Sequence, residues 1–498
     1  MGLASVALCC AIVAHSEGTD VLCLKDGRIL EGLSMSRDEG GVTIAYENGD
    51  VSVPESLILE ALIEGEADFV PRTDEEREKY EKGLVPFEGK WVSVRKRNDR
   101  IRKRLKHVRE DIENMRAHRE WANRRRDETS NFNFEYTVPK NIFESYRDQM
   151  EAYFELFKKD WKVKSSRKIG KLTVAFYGSP KEWKRTSGAR GGVIGYFKYF
   201  PDFELNIFYD RLDPGLTEDV MYHEANHYLQ QLVDVGFKYP HWPGEALAEY
   251  YGASDWDPER KKLTTGLIQE GRLIQIQRDI AGGKRWGIRE LLLDRRAFEH
   301  YSWGWSLVHF LMNDKRYDRR FRKFFLGLAK DGGVKRSSTG PAGLRTVEPE
   351  ELLSAFMKYL GVKHDQALDE MQKEWHAYID DQLDFVTPRG LEKAADDAKR
   401  SNRPLRARRL YEEAVAAGTK NAMTYHRYAE LLYIEGEKGE AIKRWRQAIE
   451  LDPLTGTFHY RMGSAIVNMG QEKADEGERL MALGLEIDPD LETEWRFE

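Results

Sequence analysis

His223, Glu224 and His227, within the stretch MYHEANHYLQQ (221–231), stand in the spacing H-E-x-x-H. On a helix, residues four apart share one face one turn apart. Two imidazoles placed that way can grip one tetrahedral Zn²⁺, and the glutamate beside the first can reach a water on the metal. A catalytic zinc needs three protein ligands and an open fourth position. Six residues past the second histidine, where a third could stand, the chain carries Val233. Downstream, HWPGEALAEYYGAS brings Glu245 after 17 intervening residues and Glu249 one turn later. Glu245 can complete a His₂Glu set, with His241 as the other candidate for that third place. Glu249 can accept the N–H of a ligand imidazole, or stand as a solvated carboxylate.

These residues need a helix for the first motif and a second helix facing it. Residues 130 to 385 read as α+β. NFNFEYTV alternates as a strand, IFESYRDQMEAYFELFKKDW follows as an amphipathic helix, and KLTVAFYG (171–178) and ELNIFYD (204–210) are further strands. In the last, Leu205, Ile207 and Tyr209 share a face. Pro214-Gly215 then predicts a turn, with Thr217, Glu218 and Asp219 opening the helix of the two histidines.

H-E-x-x-H followed by E-x-x-x-[DE] on the next helix resembles the gluzincin metallopeptidases, the thermolysin-like group, and WPGEALAEYY resembles the W-x-x-E-G-x-A-x-Y segment of peptidase-MA-like members. Ala246 stands where many members carry Gly. The resemblance covers about half the chain and implies a zincin-like core, Zn²⁺ as cofactor and hydrolysis of a peptide or protein substrate. It gives Glu224 the role of general base and His223, His227 and Glu245 the metal. It also implies a tyrosine or histidine donor for the developing oxyanion: Tyr301, in HYSWGWSLVHF, is the candidate, with His300 and His241 as rivals and a core aromatic as its other reading. Strand 204–210 would bind substrate backbone as an edge strand. His309, Trp303 and Trp305 read as packing.

The remainder of the 498 residues predicts separate modules. At 1–16 the run LASVALCCAIVA fits the apolar part of a signal peptide, with Ala14 and Ser16 before a cleavage point, although no basic residue precedes it. Export to the periplasm, cell surface or medium follows; a buried strand in a cytoplasmic protein is the alternative. Of the three cysteines, Cys9, Cys10 and Cys23, cleavage would leave one, so no intramolecular disulfide is expected. Residues 19–65 predict a small SH3-like or Sm-like β-barrel module, with hairpin turns at Asp26-Gly27 and Asn48-Gly49. Residues 74–129 predict a charged helical linker whose apolar stripe is Val94, Ile101, Leu105, Val108, Ile112 and Met115. Its interleaved acids favour a solvated helix over a nucleic-acid surface.

From 388 to 498 the sequence repeats. Ala407, Tyr411 and Ala414 recur as Ala441, Trp445 and Ala448, and a third copy ends at Pro489 with two residues inserted. A 34-residue period with small residues at helix crossings predicts an all-α tetratricopeptide repeat domain, a docking surface for a protein partner. A net charge of −6 with 41% apolar residues predicts a folded globular chain and no nucleic-acid partner, and no apolar run is long enough to span a membrane. The alternative function is a scaffold that keeps an inactive zinc site.

Overall fold

The computed structural model describes residues 20–37, 40–63, 69, 71–163, 170–190, 193–200, 202–338, 340, 343–385, 387–470, 473–489 and 491. The expected signal segment 1–16, with Cys9 and Cys10, lies outside them. The architecture is mixed α and β with a helical C-terminal region. It divides into two compact units, Met1–Asn114 with Asn421–Glu498, and Met115–Lys420.

The first unit begins with β1 (Val21–Leu24), β2 (Ile29–Glu31), β3 (Ser34–Arg37), β4 (Gly41–Tyr46), β5 (Gly49–Pro54) and β6 (Ile58–Leu62). They form two three-stranded sheets, ordered β2-β1-β6 and β3-β4-β5, and no closed barrel among the described residues. The expected barrel fails at Gly32, whose φ of +75° breaks the chain so that β2 and β3 pair in different sheets. The stretch expected as one charged helix is interrupted. Helix α1 (Asp74–Glu81) is followed by a hairpin of β7 (Leu84–Phe87) and β8 (Lys90–Ser93), and only then by α2 (Val94–Ala117). The hairpin turns on Glu88 and Gly89, both at positive φ, in a Glu-Gly pair that is not one of the common turn dipeptides. On α2, Ile101, Leu105 and Ile112 of the expected stripe are buried.

The second unit is built on a five-stranded sheet ordered β12-β13-β11-β10-β9, where β9 is Arg125–Glu128, β10 Phe132–Tyr136, β11 Leu172–Tyr177, β12 Gly195–Lys198 and β13 Glu204–Phe208. The three central strands run parallel and both outer strands antiparallel. Period-two alternation sorts the side chains. Leu172, Val174 and Phe176 enter the main core with Leu205, Ile207 and Tyr209, and Ala175 and Tyr177 face a smaller cluster around Trp183. Helix α3 (Lys140–Trp161) joins β10 to β11 and covers the main face, and α4 (Pro180–Thr186) carries Trp183 to the other. Strand 204–210 was expected at the edge, but β13 is internal. The short strand β12, whose four residues were too few to show alternation, takes the edge.

Then come α5 (Pro214–Gln231) and α6 (His241–Gly252), the hairpin β14 (Asp255–Asp257) and β15 (Lys262–Thr264), and helices α7 (Glu270–Ala281), α8 (Ile288–Leu293), α9 (Glu299–Asn313), α10 (Asp318–Lys330), α11 (Pro349–Leu360), α12 (Asp365–Gln382), α13 (Pro388–Arg400) and α14 (Pro404–Ala416). Helix α5 starts three residues earlier than the turn reading implied. Asp213 caps the Leu216 N–H at 3.1 Å and Pro214 occupies the first helical position, where its missing N–H costs nothing.

Helices α15 (Ala422–Ile434), α16 (Lys438–Leu451), α17 (Gly456–Val467) and α18 (Ala474–Ile487) complete the chain. Successive helices pack in pairs, α13 with α14, α15 with α16 and α17 with α18. Ala407, Tyr411, Ala414, Ala441, Trp445 and Ala448 are all buried, so the repeating residues are packing residues. In the first unit, Leu454 and Leu483 enter the core of the β module, and Arg28 donates to the Leu454 carbonyl at 2.7 Å.

Helix α13 serves the second unit. Asp219 on α5, 8% exposed, receives Arg389 at 2.7 Å and Lys393 at 3.1 Å. Arg389→Met leaves that buried carboxylate one cation short. It is expected to lower stability by about 1–3 kcal/mol, read as an earlier denaturant midpoint, and an unchanged midpoint would refute the role.

Candidate metal centre

Helices α5 and α6 are locked together by side-chain amides before any metal is considered. Asn226 donates to the Tyr153 hydroxyl at 2.6 Å, and Gln230 donates to both Asn226 Oδ1 and the Gly244 carbonyl at 2.8 Å. Asn226 is fully buried and Gln230 nearly so, which makes each of these bonds costly to lose. Small residues let neighbours approach. A Cβ on Gly304 of α9 would lie 2.9 Å from Trp242 and 3.3 Å from Ala246, so α9 lies close against α6. A Cβ on Gly195 would collide with Val220, which keeps β12 against α5.

This frame brings His223, Glu224, His227, Glu245 and Glu249 into one cluster. A single oxygen of Glu245, Oε2, lies 3.4 Å from His223 Nε2 and 3.3 Å from His227 Nε2. Four ligands at the usual zinc bond length of about 2.0–2.1 Å sit about 3.3–3.4 Å apart along the edges of their tetrahedron. The donor set and its spacing therefore fit a tetrahedral ion. Glu249 Oε1 lies 3.2 Å from His223 Nδ1, which fixes the tautomer that leaves Nε2 free. Both imidazoles keep 12% of their side-chain exposure and Glu249 only 3%.

Glu224 groups with the two histidines, its carboxylate within 4.8 Å of their ring nitrogens. That proximity alone would allow it as a ligand. The two carboxylates differ in placement: one Glu245 oxygen reaches both Nε2 atoms, whereas Glu224 makes no hydrogen bond to another described residue.

The electrostatics call for positive charge at this point. Burial opposes charging His223, yet the Glu249 and Glu245 carboxylates outweigh it and push the imidazole well above its ordinary range. Burial would also raise Glu245, but the imidazoles of His227 and His223 hold it well below the usual carboxylate range. Glu249 is held down to about 2 against its burial by Arg272 and His223. Glu224 goes the other way: burial raises it, and the two imidazoles only partly compensate. A divalent ion would supply the charge these carboxylates demand and would displace the imidazole proton.

Arg272, on α7, was not anticipated from the sequence. Its Nη2 lies 2.5 Å from Glu249 Oε1, and its guanidinium sits 5.1 Å from the Tyr301 ring centroid. No short-range pattern links it to either partner; its helix order alone could have raised it.

Tyr301 is brought to the site, its ring 6.1 Å from that of His223 and 5.6 Å from that of His241. The two rival histidines pair with each other. His300 Nε2 contacts the Leu291 carbonyl at 2.8 Å and must donate there, so His300 Nδ1 accepts from His241 Nδ1, also at 2.8 Å. Burial lowers the pKa of both, His300 to about 4, so both rings are neutral. Both nitrogens of His300 are thus occupied, and His241 Nε2 carries a lone pair instead of a proton. Neither is set to donate. His309 bonds Tyr378 and the Gly266 carbonyl, and Trp303 and Trp305 are fully buried, all packing residues as expected.

The chain matches no family model and no curated protein.

Both partners of the outer carboxylate can be tested by metal affinity. Glu249→Gln and Arg272→Met are expected to weaken zinc binding by about 10–100-fold and about 10-fold, measured by chelator competition. Unchanged affinity in both would remove the Arg272–Glu249–His223 chain from the metal centre.

Proposed function

We propose that the chain is a zinc-dependent peptidase of gluzincin type, with a zincin-like core between residues 130 and 385. The observation that carries this reading is the single Glu245 oxygen shared by His223 and His227, with the Glu224 carboxylate close beside both rings. A purely structural zinc site has no use for that additional carboxylate.

His223, His227 and Glu245 would hold the zinc, which when bound would supply Lewis acidity to the reacting groups. Glu224 takes the proton from the attacking water and delivers it to the leaving nitrogen, a task its raised pKa suits. Tyr301 donates to the developing oxyanion. Burial, together with the carboxylates of Glu245, Glu224 and Glu249, raises its pKa, so the hydroxyl keeps its proton at neutral pH. Substrate backbone adds to β12, the edge strand whose Phe197 ring lies 6.3 Å from His227.

The helix pairs of the C-terminal region begin at Pro388, Ala422 and Gly456, the 34-residue period of tetratricopeptide repeats, and we assign them to docking a protein partner. No described helix is long and apolar enough to cross a membrane. Export rests on the sequence of residues 1–16.

The two glutamates separate in experiment. Glu224→Gln is expected to keep full zinc content and lose about 10²–10⁴-fold in kcat, whereas His223→Ala loses zinc and activity together. Elemental analysis beside turnover on a mixed peptide library reads both. Parental turnover in Glu224→Gln would end the peptidase assignment, and a zinc-loaded parent inert on every peptide would favour a scaffold.

A further inference from the structure

A cavity of about 450 Å³ opens beside the imidazole pair, with His227 and Glu245 in its wall. The rest of that wall is rich in cations: Lys238, Arg295 and Arg296 line it with Tyr199 and His241. Arg295 is already engaged, its Nη2 lying 2.6 Å from Glu348 Oε2. Lys238 is not. It lies between α5 and α6, where its main-chain N–H donates to the Arg345 carbonyl at 2.8 Å and its Nζ stands 4.5 Å from the Tyr199 ring centroid. Among the described residues no carboxylate pairs with its ammonium. Among the described residues the exposed guanidinium of Arg296 also lacks a carboxylate partner; its main-chain N–H goes to Asp294.

A half-buried ammonium without a counter-ion is costly, because it gives up hydration and regains little. Burial lowers the Lys238 pKa accordingly, with Glu245 opposing and Arg296 adding to the shift. Such unbalanced charge in a cleft marks a place where a ligand completes the set. Metal ligation engages Glu245, and Glu348 is neutralised by Arg295. Asp294 then remains the one acid on this wall to set against two cations.

We propose that this cavity is the specificity pocket of the same site and takes a carboxylate, so that the preferred substrate carries an anionic group seated on Lys238 with Arg296 as a second contact. The inference rests on the metallopeptidase reading of His223, His227 and Glu245. That carboxylate could be the C-terminus of a peptide or an acidic side chain. Either would meet a cation backed by an aromatic ring and partly screened from water, where a charge-assisted hydrogen bond is strongest.

Binding can be read without turnover. The zinc-loaded full chain is titrated calorimetrically with the monohydroxamates of malonic, succinic and glutaric acid and with their methyl esters. The hydroxamate anchors each probe at the metal while the free carboxylate samples the pocket. At one chain length the acid is expected to bind at least about tenfold tighter than its ester. Lys238→Met should bring the acid to the ester's affinity and leave the ester unchanged, and Lys238→Arg should keep most of the preference. Equal binding of acid and ester at all three lengths overturns the pocket, as does a preference that survives Lys238→Met. In the unaltered chain the amine-bearing β-alanine hydroxamate should bind more weakly than the esters, and tighter binding would count against the pocket even if Lys238→Met failed to fold. Paired peptides, free acid against amide at the C-terminus and internal Glu against Gln, then show which carboxylate is used by the larger loss in kcat/KM. Cleavage with no discrimination in either pair sinks the pocket and spares the peptidase. Discrimination among hydroxamates without cleavage of any peptide does the reverse.

Discussion

One buried carboxylate, Glu249, and two partly buried ones, Glu224 and Glu245, gather around two imidazoles, and the second unit is arranged to keep that charge in balance. Unpaired, each would be expelled to water or protonated. Glu249 can be 3% exposed because Arg272 reaches it from α7 and His223 meets it from α5. Glu245 stays ionised because two ring nitrogens face one of its oxygens. The arrangement therefore calls for three helices at fixed distances. The Asn226–Gln230–Gly244 amide contacts set α5 against α6, and Gly304 lets α9 close on α6 with Tyr301 in place. The cations from α13 that meet Asp219 hold the start of α5 in the same way.

What could be read in the sequence was what lies within a helical turn or repeats at a fixed period. His223 and His227 share a face because four residues make about one turn, and Glu245 and Glu249 follow the same rule. Strands β10, β11 and β13 were legible because two-residue alternation marks a half-buried strand, and the C-terminal helix pairs because Ala407 and Ala441 recur in register. Hidden features depended on partners distant in sequence. Arg272 is tied to the site only through Glu249 and Tyr301, and nothing in its own neighbourhood says so. Nor does any local pattern tell that Leu454 and Leu483 would complete the core of the first β module. Edge position was equally hidden, since β12 has four residues and its place in the sheet depends on pairing with β13.

Errors of the local kind have local causes. Pro214 signalled a turn, but a proline costs nothing at the first position of a helix, so the same residue that breaks a helix interior opens α5. The hairpin at Glu88-Gly89 was masked by its surroundings, where Lys, Arg and Glu in dense supply raise helix propensity on both sides.

Glu224 and Glu245 are one residue type in one cluster, and their environments push them in opposite directions. Glu245 gains two hydrogen-bonding imidazoles and becomes a firmly ionised anion, which suits a ligand and makes it a poor proton carrier. Glu224 loses its hydration, gains no hydrogen bond from a described residue, and rises in pKa, which suits a group that must accept a proton and give it up within one turnover. The separation begins with helix geometry. The residue directly after His223 lies about 100° further round α5 and makes no hydrogen bond to a described residue of α6, while Glu245, arriving from the facing helix, meets both imidazoles with one oxygen. Two helices are thus the smallest arrangement that gives identical carboxylates different environments, and the amide contact between α5 and α6 keeps those two environments apart.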